Sequence, residues 1–104
     1  SLSEQVQAIL QHSSAYMPNQ EETATQLGLS SRSLSRQLAA EGNSFKQILE
    51  QHKQALAKEY LLRDDSSIEN IAYLLAYESP PNFSRAFKRW TGLTPQQFRL
   101  ENKN

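Results

Sequence analysis

The feature that most constrains this chain is that it repeats itself. Ala24, Leu27 and Leu29 recur as Ala72, Leu75 and Tyr77, each forty-eight positions later, and Leu34, Arg36 and Leu38 recur as Phe83, Arg85 and Phe87, forty-nine later. Gly42 and Ser44 return as Gly92 and Thr94 after fifty. Spacing is kept inside each block and drifts by one residue at each connection, as expected for one supersecondary unit used twice. Chance can make two amphipathic helices alike, but it does not also match their caps and stops.

The second copy reads clearly. Ser67 is a good N-cap ahead of Ile68, Ile71, Ala72 and Leu75, which have the spacing of one helical face. After Ala76, Tyr77 and Glu78, Ser79 caps a second helix. Pro80 takes its first position, and Phe83, Ala86, Phe87 and Trp90 share a face. Gly92 supplies a stop, and Thr94 with Pro95 opens a third helix whose inward residue is Phe98. Two short helices joined by a tight turn make a helix-turn-helix, whose second member can enter a major groove.

The first copy follows the same plan. Leu2, Val6, Ile9 and Leu10 predict a helix from Leu2 to about Tyr16, opened by a capping box of Ser1 and Glu4. Pro18 and Asn19 break it. A short helix over Gln20 to Leu27 turns Ala24 and Leu27 inward and carries Glu21 and Glu22 in its first turn, and Gly28 ends it. Ser30 caps the next helix, SSRSLSRQLAAEG, in which Leu34 and Leu38 face the core while Arg32, Ser35, Arg36 and Ala39 lie on other faces.

Between the copies, Ser44 to Leu62 contains neither Gly nor Pro and carries a cap at Ser44. It has apolar residues at Phe45, Ile48, Leu49, Leu56, Ala57, Tyr60 and Leu61, so one long helix of ~28 Å is expected. Arg63, Asp64, Asp65 and Ser66 form a polar linker. The expected fold is all-α with about seven helices. Residues 1–43 form the first helix-turn-helix unit, 44–62 the linking helix and 63–104 the second unit.

A net charge of zero is unusual for a nucleic-acid binder, so the distribution of charge decides. Residues 1–30 hold no Lys or Arg and three acids, Glu4, Glu21 and Glu22. Residues 30–40 hold Arg32 and Arg36 without an acid, and 79–92 hold Arg85, Lys88 and Arg89 without an acid. Both cation groups fall on the two candidate recognition helices.

The candidate DNA contacts follow from chemistry. Arg32 and Arg36 are one turn apart, with Ser35 beside them and Ser31 and Ser33 in the first turn. An arginine fork suits guanine O6 and N7, and serine reaches a base or a phosphate. The same residues also fit a solvated face, and Arg36 and Arg85 also fit an internal ion pair. In the second unit Pro80 and Pro81 remove two backbone donors, which leaves little direct polar readout in that turn. Asn82 suits adenine N6 and N7, Pro81 an apolar group such as a thymine methyl, and Arg85 is the best base-contact candidate. Lys88 and Arg89 suit phosphates, or act only as a solubilising pair. The first-turn donors of the last helix, beside Gln96 and Gln97, offer a further phosphate site.

Other chemistries find no support. His12 and His52 stand singly without metal-ligand spacing, there is no cysteine, and three glycines form no phosphate-cradling loop. Neither an enzyme site, a cofactor nor a metal is expected, and the lack of cysteine fits a cytoplasmic setting. No apolar run approaches a membrane span and no leader pattern opens the chain, so a soluble protein is expected. Phe45, Phe83, Phe87, Trp90 and Phe98 read as core rather than stacking platforms, whereas Tyr73 reads as exposed.

At these residues the sequence resembles the C-terminal DNA-binding domain of the AraC/XylS family of bacterial transcription regulators. The match runs through Ile71-Ala72, Phe83-Ser84-Arg85-Ala86-Phe87-Lys88-Arg89, Gly92, Thr94-Pro95 and Phe98-Arg99. In the first half it runs more loosely through Ala24, Leu27, Ser30, Leu34, Arg36, Gly42, Phe45 and the end of the long helix. The resemblance covers nearly all of residues 1–104. It implies two helix-turn-helix units that enter successive major grooves of double-stranded promoter DNA. It also implies an N-terminal effector or dimerisation domain elsewhere in the protein, and an activator that touches RNA polymerase. A helical module that docks on polymerase or on an effector domain, without reading DNA, is the alternative. Two departures stand out. Ala76 occupies a turn position where many members have glycine, so it is expected in a left-handed conformation at a cost of roughly 1–2 kcal/mol. Lys53 replaces a common arginine and leaves a simpler charge, with little effect expected on DNA contact.

Overall fold

The computed structural model describes residues 1–13, 16–63 and 65–102. These form seven helices and no strand: α1 Leu2–His12, α2 Gln20–Gln26, α3 Ser31–Ala40, α4 Phe45–Arg63, α5 Ile68–Leu74, α6 Pro80–Thr91 and α7 Pro95–Glu101. The chain divides into two compact units, Ser1–His52 and Lys53–Asn104. The fold is all-α, with a helix-turn-helix in each unit, and α4 contributes its first part to the first unit and its second part, from Lys53, to the second.

In the first unit α1 and α2 both pack on α3. Val6, Leu10, Ala24, Leu34, Leu38, Phe45 and Ile48 form its core, flanked by Leu2, Leu27, Leu29 and Leu49. Each fully buried Leu, Val or Phe contributes roughly 1.5–3 kcal/mol. Thr23 is buried as well, and its hydroxyl donates to Asn19 O at 2.9 Å, so the burial leaves no unpaired polar group.

Two boundaries differ from expectation. The first helix ends at His12 rather than near Tyr16, because Ser13 takes the Ile9 carbonyl with its own hydroxyl at 2.7 Å and caps the helix. Ser14 and Ala15, within the expected extension, lie outside the described residues, as does Asp64 of the polar linker. Tyr16 is used elsewhere, donating its hydroxyl to the Glu22 carboxylate. In addition, Asn19 is an N-cap and not simply a breaker. Its side chain accepts from Glu22 N at 2.8 Å while Glu22 accepts from Asn19 N at 2.9 Å, a reciprocal capping box.

In the second unit Ala57, Leu61, Ile71, Ala72, Leu75, Phe83, Ala86 and Phe87 are buried. Phe87 is the hub of the aromatic packing, with ring centroids 5.9 Å from Phe83, 6.2 Å from Trp90 and 5.2 Å from Phe98, the last two edge to face. Arg99 Nε donates to Leu61 O at 3.1 Å, tying α7 to the end of α4. The Lys53 ammonium lies 4.4 Å from the Tyr77 ring centroid, so this lysine holds α4 against the turn before α6.

Candidate nucleic-acid interface

The two turns are built alike. After α2, Gly28 N donates to Thr25 O at 3.1 Å and Leu29 N to Ala24 O at 2.9 Å. After α5, Ala76 N donates to Tyr73 O at 3.0 Å and Tyr77 N to Ala72 O at 3.0 Å. Both are the paired bonds of a Schellman stop, which requires a left-handed residue at its centre. Gly28 supplies it with φ 71° and Ala76 with φ 65°, as expected for Ala76.

The helices that follow begin alike as well. Ser30 Oγ accepts from Ser33 N at 3.0 Å at the start of α3, and Ser79 Oγ accepts from Asn82 N at 3.3 Å at the start of α6. Gln20 Nε2 further donates to Ser31 O at 3.1 Å, fixing the first turn of α3 on α2.

Leu34 and Leu38 bury one side of α3, and this turns Arg32, Ser35 and Arg36 outward together. Ser31 and Ser33 are half-buried, and Ser33 Oγ accepts from Gln37 Nε2 at 3.0 Å. Gln37 is exposed on the flank of this face and was absent from the sequence-based candidates. Its signal lay in its place next to Arg36, and its carboxamide is a group able to pair with adenine. Among the described residues Arg32 and Arg36 make no ion pair, so the internal pairing considered for Arg36 is not formed.

On α6 the buried Phe83, Ala86 and Phe87 turn Pro81, Arg85, Lys88 and Arg89 outward, while Asn82 is half-buried at the edge of this face. Arg85 Nη2 donates to Asn82 Oδ1 one turn back. Both helices therefore offer solvent a cationic surface free of acids, of the kind that attracts phosphates. The last helix is less suited to that task. Pro95 lacks an N–H and Gln97 N donates to Thr94 Oγ1 at 3.1 Å, so few first-turn donors remain.

A family model described as a helix-turn-helix domain matches residues 23–101. The chain belongs to the AraC-type helix-turn-helix family. This AraC-type domain is 38% identical over 82 residues to the ornithine utilization regulator of Pseudomonas aeruginosa, a match covering 79% of this chain and 24% of that protein. It thus spans about a quarter of that relative's length. Among solved structures it is similar to the transcriptional regulator CdpR of Pseudomonas aeruginosa, with a TM-score of 0.91 and 29% identity over 96% of this chain and 32% of that one. It is also similar to the DNA-binding domain of AdpA, solved in complex with a target DNA, with a TM-score of 0.79, 25% identity, and coverage of 96% and 90%. An AraC-type domain of this kind is the DNA-binding part of a transcriptional regulator.

Proposed function

We propose that this AraC-type domain recognises a specific promoter sequence through two major-groove contacts, with α3 serving one short box and α6 the other. The observation that carries the reading is the paired outward faces, Arg32, Ser35 and Arg36 on α3 and Pro81, Arg85, Lys88 and Arg89 on α6. Each is cationic, acid-free and set on the second helix of its helix-turn-helix. Arg36 and Arg85 are the base readers, while Lys88 and Arg89 neutralise phosphates. Ser31 and Ser33 support the first turn of α3. Residues 1–43 and 63–104 are the two reading units and 44–62 joins them.

In this reading the domain is one end of a longer cytoplasmic activator whose remaining length holds an effector or dimerisation domain. Glu21, exposed in the first turn of α2, suits a contact with a basic surface of RNA polymerase. A docking module without DNA readout has one observation in its favour, the exposure of Tyr73 and Leu74 on α5 at 78% and 44%.

Selection of binding sites from random duplex DNA, followed by anisotropy titrations at several salt concentrations, separates the two. Enrichment of two short boxes with log affinity falling linearly in log salt supports the two-contact reader. A single box means that one unit only positions the other. No enrichment at any salt rejects sequence reading by this domain and promotes the docking surface.

A further inference from the structure

Arg36 and Arg85 occupy the same place in the repeat, yet their surroundings differ. Arg85 Nη2 donates to Asn82 Oδ1, and Asn82 is itself anchored by its backbone N–H on the Ser79 hydroxyl at 3.3 Å. The corresponding place in the first unit is held by Ser33, whose hydroxyl accepts from Gln37 instead. Arg36 is exposed and has no side-chain partner among the described residues.

An arginine has only donors, so the Asn82 amide must turn its oxygen, and not its NH2, toward Arg85. The bidentate pairing of asparagine with adenine needs that oxygen and the NH2 side by side at one base edge. With the oxygen turned along the helix toward Arg85, the amide is not set to present both groups to one adenine edge. The contact instead places a short, half-buried side chain as a stop for a long, exposed one. The remaining guanidinium donors stay available to the paired acceptors O6 and N7 of guanine.

We infer that Asn82 is a positioning residue for Arg85, holding its guanidinium ready for a guanine, so that the two units read bases with one pre-oriented and one freely moving arginine. This rests on α6 lying in a major groove. Arg85 pays part of its ordering cost on folding, whereas Arg36 pays all of it on binding DNA.

The test uses the chain as it stands and a duplex taken from the binding-site selection, with each base pair of the α6 box varied in turn. The readout is the affinity ratio of guanine over the other bases at the position where Arg85→Ala removes preference. Arg85→Ala lowers that ratio roughly tenfold or more. Asn82→Ala lowers the same ratio at the same base by about three- to tenfold, and adds nothing in the Arg85→Ala background. Asn82→Asp keeps an oxygen for the guanidinium and preserves the ratio, although overall affinity falls through phosphate repulsion. Asn82→Leu, similar in shape and without an acceptor, repeats the alanine result if Asn82→Ala melts early. Equal effects of Asn82→Ala with and without Arg85, or a loss of preference for adenine at a different position, overturn the positioning role while leaving DNA reading intact. If Arg85→Ala changes no ratio, both the inference and base reading by α6 fail.

Discussion

Ala76 holds in the second turn the left-handed place that Gly28 holds in the first, with φ 65° against 71° and the same pair of backbone hydrogen bonds around it. Only the side chain differs, and a Cβ costs roughly 1–2 kcal/mol in that region. A Cβ built on Gly28 would meet nothing within 4 Å, so strain alone sets the difference. Gly28→Ala should therefore destabilise by about 1 kcal/mol, and Ala76→Gly should stabilise by about 0.5–1 kcal/mol after the extra flexibility of unfolded glycine is counted. Urea denaturation midpoints at unchanged slope check both signs.

Glu41, at the end of α3, serves the start of α1. Its carboxylate accepts from Ser3 Oγ at 2.6 Å, Ser3 N at 3.0 Å and Leu2 N at 3.0 Å. The Ser3 hydroxyl, then the two backbone N–H groups, hold its pKa below the ordinary value of 4.5. A carboxylate with a depressed folded pKa stabilises above its unfolded pKa, and that contribution disappears as pH falls through the folded value. Wild type should exceed Glu41→Ala in thermal stability at pH 7, and the gap should narrow steadily as pH drops below about 4.5. A gap independent of pH would show that the tether owes nothing to ionisation.

The Lys53 ammonium over Tyr77 should be measurable as a coupling. A double-mutant cycle with Lys53→Gln and Tyr77→Leu is expected to give about 0.5–1 kcal/mol, and Lys53→Arg should retain most of it. Neither Lys53 variant should change which bases are preferred.

Phe87 touches three rings and is fully buried. Phe87→Ala should cost about 3–5 kcal/mol, read by denaturant titration, because the cavity it leaves lies among rings that cannot collapse into it.

On DNA, Arg36→Ala should remove roughly 1–3 kcal/mol of discrimination at one base pair, and should weaken discrimination more than Asn82→Ala does. Lys88→Ala should instead weaken all duplexes alike and lower the salt slope by about one. Titrations of the selected site and its single-base variants, at three or more salt concentrations, distinguish the two patterns.

Much of this fold was written in local signals. Ser30, Ser44, Ser67, Ser79 and Thr94 each accept the backbone N–H three residues on. Gly28, Gly42 and Gly92 each take positive φ just past the last turn. Caps and stops satisfy backbone groups within a few residues, so they can be recognised from the order of residues alone. The repeat added what periodicity could not, namely that the second turn must copy the first. The left-handed Ala76 was expected from the resemblance, whose members often carry glycine there, and the outward faces of α3 and α6 from the apolar positions, because burying Leu34 and Leu38, or Phe83 and Phe87, leaves only one side for the cations.

Other features depended on tertiary structure. That Glu41 reaches the first turn of α1, that Gln20 holds Ser31 and that Lys53 settles on Tyr77 are contacts of polar groups separated by eleven to thirty-nine positions. No period links such partners, and each bond forms only where packing has already brought two backbones close enough. The end of α1 at His12 and the turning of Asn82 toward Arg85 are local in sequence, yet each rests on a side-chain hydrogen bond that no period marks. The sequence alone determined the helices, most of their caps and their buried faces, because burial and backbone satisfaction are strong and periodic. Tertiary structure decided which polar side chains find a partner within the fold, because those choices turn on distances of a few ångströms that no residue pattern encodes.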